Sequence, residues 1–162
     1  IDQSDNVLVI DLDEEHFNFK TRPKVIITMP QLLGVKLSGV TIGKIAHFAG
    51  EDLNLDLSGA SKATIDAEYN EINVGISGVS HLNISGSAKT IKYEGSGASH
   101  VDSKNLTVNN VNVDLSGATK IVIGTAKNIS GELSGACKLE YIGNPTLDVN
   151  SSGVSKIRQV GQ

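Results

Sequence analysis

Leu57-Ser58-Gly59-Ala60-Ser61-Lys62 decides the fold, because the chain repeats it along most of its length. The core of the pattern, Ser-Gly-small-Ser/Thr, begins at Ser38, Ser58, Ser77, Ser96, Ser116, Ser134 and Ser152, with Cys137 as the one variant in the fourth place. Successive glycines (Gly39, Gly59, Gly78, Gly97, Gly117, Gly135, Gly153) are 20, 19, 19, 20, 18 and 18 residues apart. On both sides apolar and polar residues alternate, as in Leu53, Leu55 and Leu57 before the motif and Ala63 and Ile65 after it. A period of two marks strands with one buried face. No stretch carries a sustained helical period, and Glu14-Glu15-His16-Phe17 is the only weak helical candidate.

A unit of 18–20 residues is too short for a four-stranded propeller blade, which needs about 40. Short strands joined by corners make one coil of a solenoid, whose backbone groups pair with the next coil about 4.8 Å along the axis. The expected fold is therefore all-β: a single-stranded, right-handed parallel β-helix (β-solenoid) of about seven coils, with irregular N-terminal coils. One domain spans 1–162, residues 1–36 forming irregular cap strands and 37–162 the repeat coils. Val7-Leu8-Val9-Ile10 and Val25-Ile26-Ile27, the latter ended by Pro30, read as strands that help to cover the N-terminal end. The Ala or Val after each motif glycine is expected inward, and so is the Ser/Thr/Cys column. Gly86, Gly124 and Gly143 mark second corners. Gly95 and Ser151 stand where other coils have an inward Leu or Ile, so thinner packing is expected there.

The totals restrict function. Of 162 residues 39% are hydrophobic, 17 are Gly and none is Trp, so the core is built of small aliphatic layers. A net charge of −4 argues against a nucleic-acid partner, which would need a basic domain. Arg22 and Arg158 are the only arginines, and Cys137 is the only cysteine, so no intramolecular disulfide can form. No apolar run approaches the roughly 18 residues of a membrane span. The chain begins at Ile1 and reads as a mature or trimmed piece.

Stacked coils turn repeat positions into columns. The residue after the Ser/Thr column forms an outward stripe of Lys62, His81, His100, Lys120, Lys138 and Lys156. It reads as a contact for anionic glycans or surface polymers, or as solvated charge that keeps a repetitive β surface soluble. A second column, before the motif, holds Asp56, Gly75, Glu94, Asp114 and Glu132. It reads as a solvated acidic face, as a calcium contact, or as the acid/base set of a polysaccharide-cleaving β-helix. His81 and His100, one coil apart, should lie about 5 Å from each other. With Asp102 they supply at most three ligands, and no metal site or cofactor is expected. Ser99, His100 and Asp102 contain the residue types of a hydrolytic triad, but alternation turns Ser99 to the opposite side. Cys137 reads as filler in the Ser/Thr column, and no catalytic residues are assigned.

The recurring Leu-Ser-Gly-Ala-Ser-Lys, the step Thr28-Met29-Pro30-x-x-Leu33 into the first motif, and Gly143-Asn144-Pro145 resemble the bacterial family described as putative auto-transporter adhesin, head GIN domain. The similarity runs from about Val7 to Val160. It implies a right-handed β-helix-like fold and an exported, lipoprotein or cell-surface setting (extracellular or periplasmic), and it brings no site residues with it. The expected function is a non-enzymatic adhesin-like or structural module presenting flat faces. Its expected partner is a glycan, a cell-wall polymer or a surface protein, and homo-oligomers through solenoid ends or faces are conceivable. The alternatives are a carbohydrate-active enzyme, lyase- or hydrolase-like, and a self-assembling envelope scaffold.

Overall fold

A computed structural model describes residues 1–10 and 24–161. Its described residues contain strands and no helix. The main sheet comprises β3 (Gly34–Leu37), β4 (Ile42–Leu57), β5 (Lys62–Ile76), β6 (His81–Gly95), β7 (His100–Leu115), β8 (Lys120–Leu133), β9 (Lys138–Ile142), β10 (Thr146–Ser151) and β11 (Lys156–Gln159). Neighbours pair in parallel in chain order from β3 to β9, and the last coil lays β10 on β8 and β11 on β9. Each long strand is one coil running from corner to corner. The chain is a parallel β-solenoid, as the repeat requires.

The inward rows are those the alternation picks out. Leu53, Ile72, Ile91, Val111 and Ile129 form one buried column, and Ala63, Leu82, Val101, Ile121 and Leu139 another. Each buried Leu or Ile contributes about 1.5–3 kcal/mol. Gly95 does not leave the gap expected of it. A Cβ there would stand 2.7 Å from Leu115 Cδ2 and 3.1 Å from Thr119 Cγ2, so the neighbouring coil already occupies the space. Ser151 does sit in a thin region, since β10 is exposed except at Val149.

The motif glycines have two reasons to be glycine. Gly97 has φ +73°, a left-handed conformation that costs other residues about 1–2 kcal/mol. Its missing Cβ would also fall 2.5 Å from the Gly78 carbonyl oxygen of the coil below. One expectation is overturned: the strand alternation runs through the corner without a shift, Leu57, Ser61 and Ala63 all facing inward, so the residue after the glycine falls on an outward position. The small residue after glycine points outward, with Val40, Val79 and Val154 at 91%, 70% and 73% exposure. The fourth residue then returns inward. Ser61, Ser80, Ser99, Thr119 and Cys137 are all buried. The hydroxyls of Ser61, Ser99 and Thr119 donate to the carbonyl of the first motif residue, at 2.7, 2.9 and 2.9 Å. Of the second corners, Gly86 and Gly143 are left-handed while Gly124 is not.

The N-terminal region also differs from expectation. β1 (Asp2–Ser4) and β2 (Val7–Val9) form an exposed antiparallel hairpin that does not join the main sheet. Val25, Ile26 and Ile27 lie in no strand and are exposed. No Ser-Gly corner precedes them to set a register, and Pro23 and Pro30 bracket them with residues that cannot donate to a ladder. Ordered coiling begins at Leu32 and Leu33, whose carbonyls accept from Tyr69 Oη at 2.7 Å and from the Asn54 backbone at 3.0 Å. Glu14-Glu15-His16-Phe17 lies outside the described residues.

Candidate functional site

The stripe after the motif is a true ladder. Lys62 pairs in register with His81, His81 with His100, His100 with Lys120, Lys120 with Lys138 and Lys138 with Lys156. The His81 and His100 rings stack with centroids 4.8 Å apart and planes 9° from parallel. Partial burial, with His81 and Lys120 as near neighbours, lowers the His100 pKa and favours its neutral ring.

The adjacent outward column, two residues further along each coil, runs Lys44, Thr64, Asn83, Asp102, Val122, Glu140 and Arg158. Glu140 is its centre of interest. Three consecutive coils aim cations at it: Lys120 Nζ at 3.2 Å, Lys138 Nζ at 2.7 Å and Arg158 Nη2 at 3.3 Å. Beneath them the Glu140 side chain is only 8% exposed. The hydrogen bond from Lys138, followed by that from Lys120, holds its carboxyl below the usual carboxylate range. Sequence reading missed Glu140, because a single acid among lysines looks like ordinary surface charge. Writing the coils one beneath another would have found it.

Near the middle of the same face, β7 bulges after Ser103 as its register shifts against both neighbours. The Lys104 backbone N–H donates to Asp102 Oδ1 at 3.1 Å, and Lys104 Nζ lies 3.5 Å from Asp102 Oδ2. Beside the bulge is an open hollow of about 230 Å³ lined by Thr64, Asn83, Ser85, Asp102, Lys104 and Asn105, with Ile65 and Ile84 at its floor. Around it the arms from the motif to the second corner carry Lys44, Lys62, Lys104, Lys120, Lys138, Lys156 and Arg158 against Asp66, Asp102 and Glu140, with Glu51, Glu68, Lys89 and Lys127 on the short stretch beyond that corner.

The arms before the motif have the opposite balance: Lys36 and Lys92 against Asp52, Asp56, Glu71, Glu94, Asp114, Glu132 and Asp148. Asp56, Gly75, Glu94, Asp114 and Glu132 are in register, as the repeat requires, with Lys36 beginning the column and standing 3.5 Å from Asp56. Lys92 pairs with Glu71 at 2.8 Å and lowers its pKa through that hydrogen bond. Amide ladders lie alongside, Asn73 donating to Asn54 at 3.3 Å and Asn128 to Asn110 at 2.9 Å.

Other arrangements stay apart. Ser99 is buried and its hydroxyl is engaged with Ser96, while His100 faces outward, so the two do not form a nucleophile–base pair. Among the described residues no three of His, Cys, Asp or Glu converge as metal ligands. Cys137 is buried, with Sγ 3.1 Å from the Ser134 carbonyl oxygen. A second open hollow, about 330 Å³, lies by Tyr69 and Lys89, and neither hollow is lined by Asp56, Glu94, Asp114 or Glu132. No helix among the described residues is long and apolar enough to cross a membrane.

A family model described as putative auto-transporter adhesin, head GIN domain matches residues 1–145. No curated protein and no solved structure matches the chain.

Proposed function

The chain belongs to the putative auto-transporter adhesin, head GIN domain family, and from that premise we propose that it is a non-enzymatic recognition module of the cell surface or envelope. It engages an extended glycan or cell-wall polymer across a flat solenoid face. The observation that carries this reading is the separation of charge onto two open, in-register faces, with Asp56, Glu94, Asp114 and Glu132 lining neither hollow. Long in-register rows suit a partner that itself repeats. A carboxylate pair acting on a glycosidic bond instead needs two groups set about a bound sugar at defined separation.

Screening the purified chain against glycans and cell-wall polymers, with and without calcium, tests the proposal. Selective binding with no release of oligosaccharides is expected. Released oligosaccharides would replace it with a carbohydrate-active enzyme, and silence across the array would replace it with a protein contact or a spacer.

A further inference from the structure

We propose that the C-terminal half of the basic face binds an acidic polysaccharide carrying a carboxylate on each sugar, with Lys120, Lys138, Lys156 and Arg158 taking the carboxylates and Glu140 as the positioning residue that holds three of those cations. This deepens the surface-recognition reading and rests on it.

Three observations lead here. The first is excess charge in a chain that is acidic overall. Glu140 neutralises one of the three cations gathered on it, and Lys156 adds another in register with Lys138. The second is order. Free lysines lose substantial side-chain entropy when they bind, but Lys120, Lys138 and Arg158 are already held against a nearly buried carboxylate. Their remaining N–H donors are left for a ligand. The third is spacing. Successive cations of the ladder recur about every 4.8 Å, a regular row suited to a partner whose anions also recur along its length.

The hollow beside Asp102 and Lys104 lies one coil before Lys120 on the same face. Its hydroxyl and amide lining suits sugar hydroxyls, and Lys104 adds a cation at its rim. Single-stranded nucleic acid would call for aromatic side chains on which bases stack. This face offers two histidines already stacked on each other.

Titrating the whole chain with polygalacturonate, with dextran and dextran sulfate as comparators, tests the proposal. Lys138→Ala and Arg158→Ala should each weaken polygalacturonate binding about tenfold, the scale of one charge-assisted hydrogen bond. Lys92→Ala removes the same charge from the opposite face and should leave binding unchanged. Glu140→Gln gives the sharpest readout: it makes the face more positive, yet should weaken binding because the cations lose their anchor. Tighter binding by Glu140→Gln, or dextran sulfate bound as well as polygalacturonate, would reduce the site to unspecific anion attraction and overturn the proposal. Binding of dextran but not of polygalacturonate would overturn it while leaving the recognition module standing. Polygalacturonate cleaved by the chain would remove the recognition reading itself.

Discussion

The faces before and after the motif share a backbone ladder, yet they handle charge in opposite ways. Before the motif, Glu94, Asp114 and Glu132 stand in consecutive coils, like charge beside like charge, on exposed positions. After it, one carboxylate is sunk beneath cations from three coils. Like charges directly opposite one another on neighbouring strands repel by a few tenths of a kcal/mol or more. The acidic face is thus tolerated by solvation, while the basic face is organised around Glu140. The solenoid dictates that columns exist. Which residues fill them decides whether a face is merely soluble or is held ready for a ligand.

The comparison breaks most completely at the corner that both faces share. Gly97→Ala should cost roughly 3 kcal/mol or more, because it adds a backbone clash to the left-handed penalty. Gly39→Ala, whose Cβ would meet nothing within 4 Å, should cost only the conformational part, about 1–2 kcal/mol. Equal losses in urea melts would show that the corner is not held by close stacking.

The faces themselves separate under paired substitutions. Glu140→Gln should destabilise the fold by on the order of 1 kcal/mol, since it strips a shared partner from three cations. Glu132→Gln should be neutral or slightly stabilising, because it relieves repulsion with Asp114. Thermal melts that moved both variants in the same direction would erase the distinction.

A smaller effect depends on pH. The folded-state pKa of His100 is lowered, so the unfolded chain takes up a proton more readily. The stability His100 contributes is complete above its unfolded pKa of about 6.5 and is lost as pH falls through the lower folded value. His100→Gln should flatten that part of a stability–pH curve, and an unchanged slope would remove His100 as its source.

The smallest difference lies inside. Ser61→Ala should cost about 1 kcal/mol, because it removes a made hydrogen bond. Ser80→Ala should cost little, since the buried Ser80 hydroxyl has no partner to lose. Denaturation midpoints of the two variants would check this.

Much of this was legible in the sequence. The period aligned the columns, and strand alternation separated inward from outward through the motif corner, its phase changing instead in mid-coil, between Tyr69 and Ile72 and between Ser103 and Leu106. At the motif, alternation from Leu57 through Ser61 to Ala63 itself sends the residue after the glycine outward, and the expected inward layer of Val40, Val79 and Val154 ran against it. Glu140 escaped because its burial is made by residues 20 and 18 positions away, and only stacking brings Lys120 and Arg158 to it. Val25-Ile26-Ile27 has strand composition but no corner to place it, so local propensity had nothing to pair with. Gly95 read as thinner packing because the sequence does not show that Leu115 and Thr119 lean into its space.

The most direct test of the central claim is a footprint: backbone amide chemical shifts of the chain, recorded while polygalacturonate is added. Shifts concentrated on the rows through Lys120, Lys138, Lys156 and Arg158, with the rows through Asp56, Glu94, Asp114 and Glu132 unmoved, are the predicted result. Shifts on the acidic rows, or spread evenly over both faces, would contradict it.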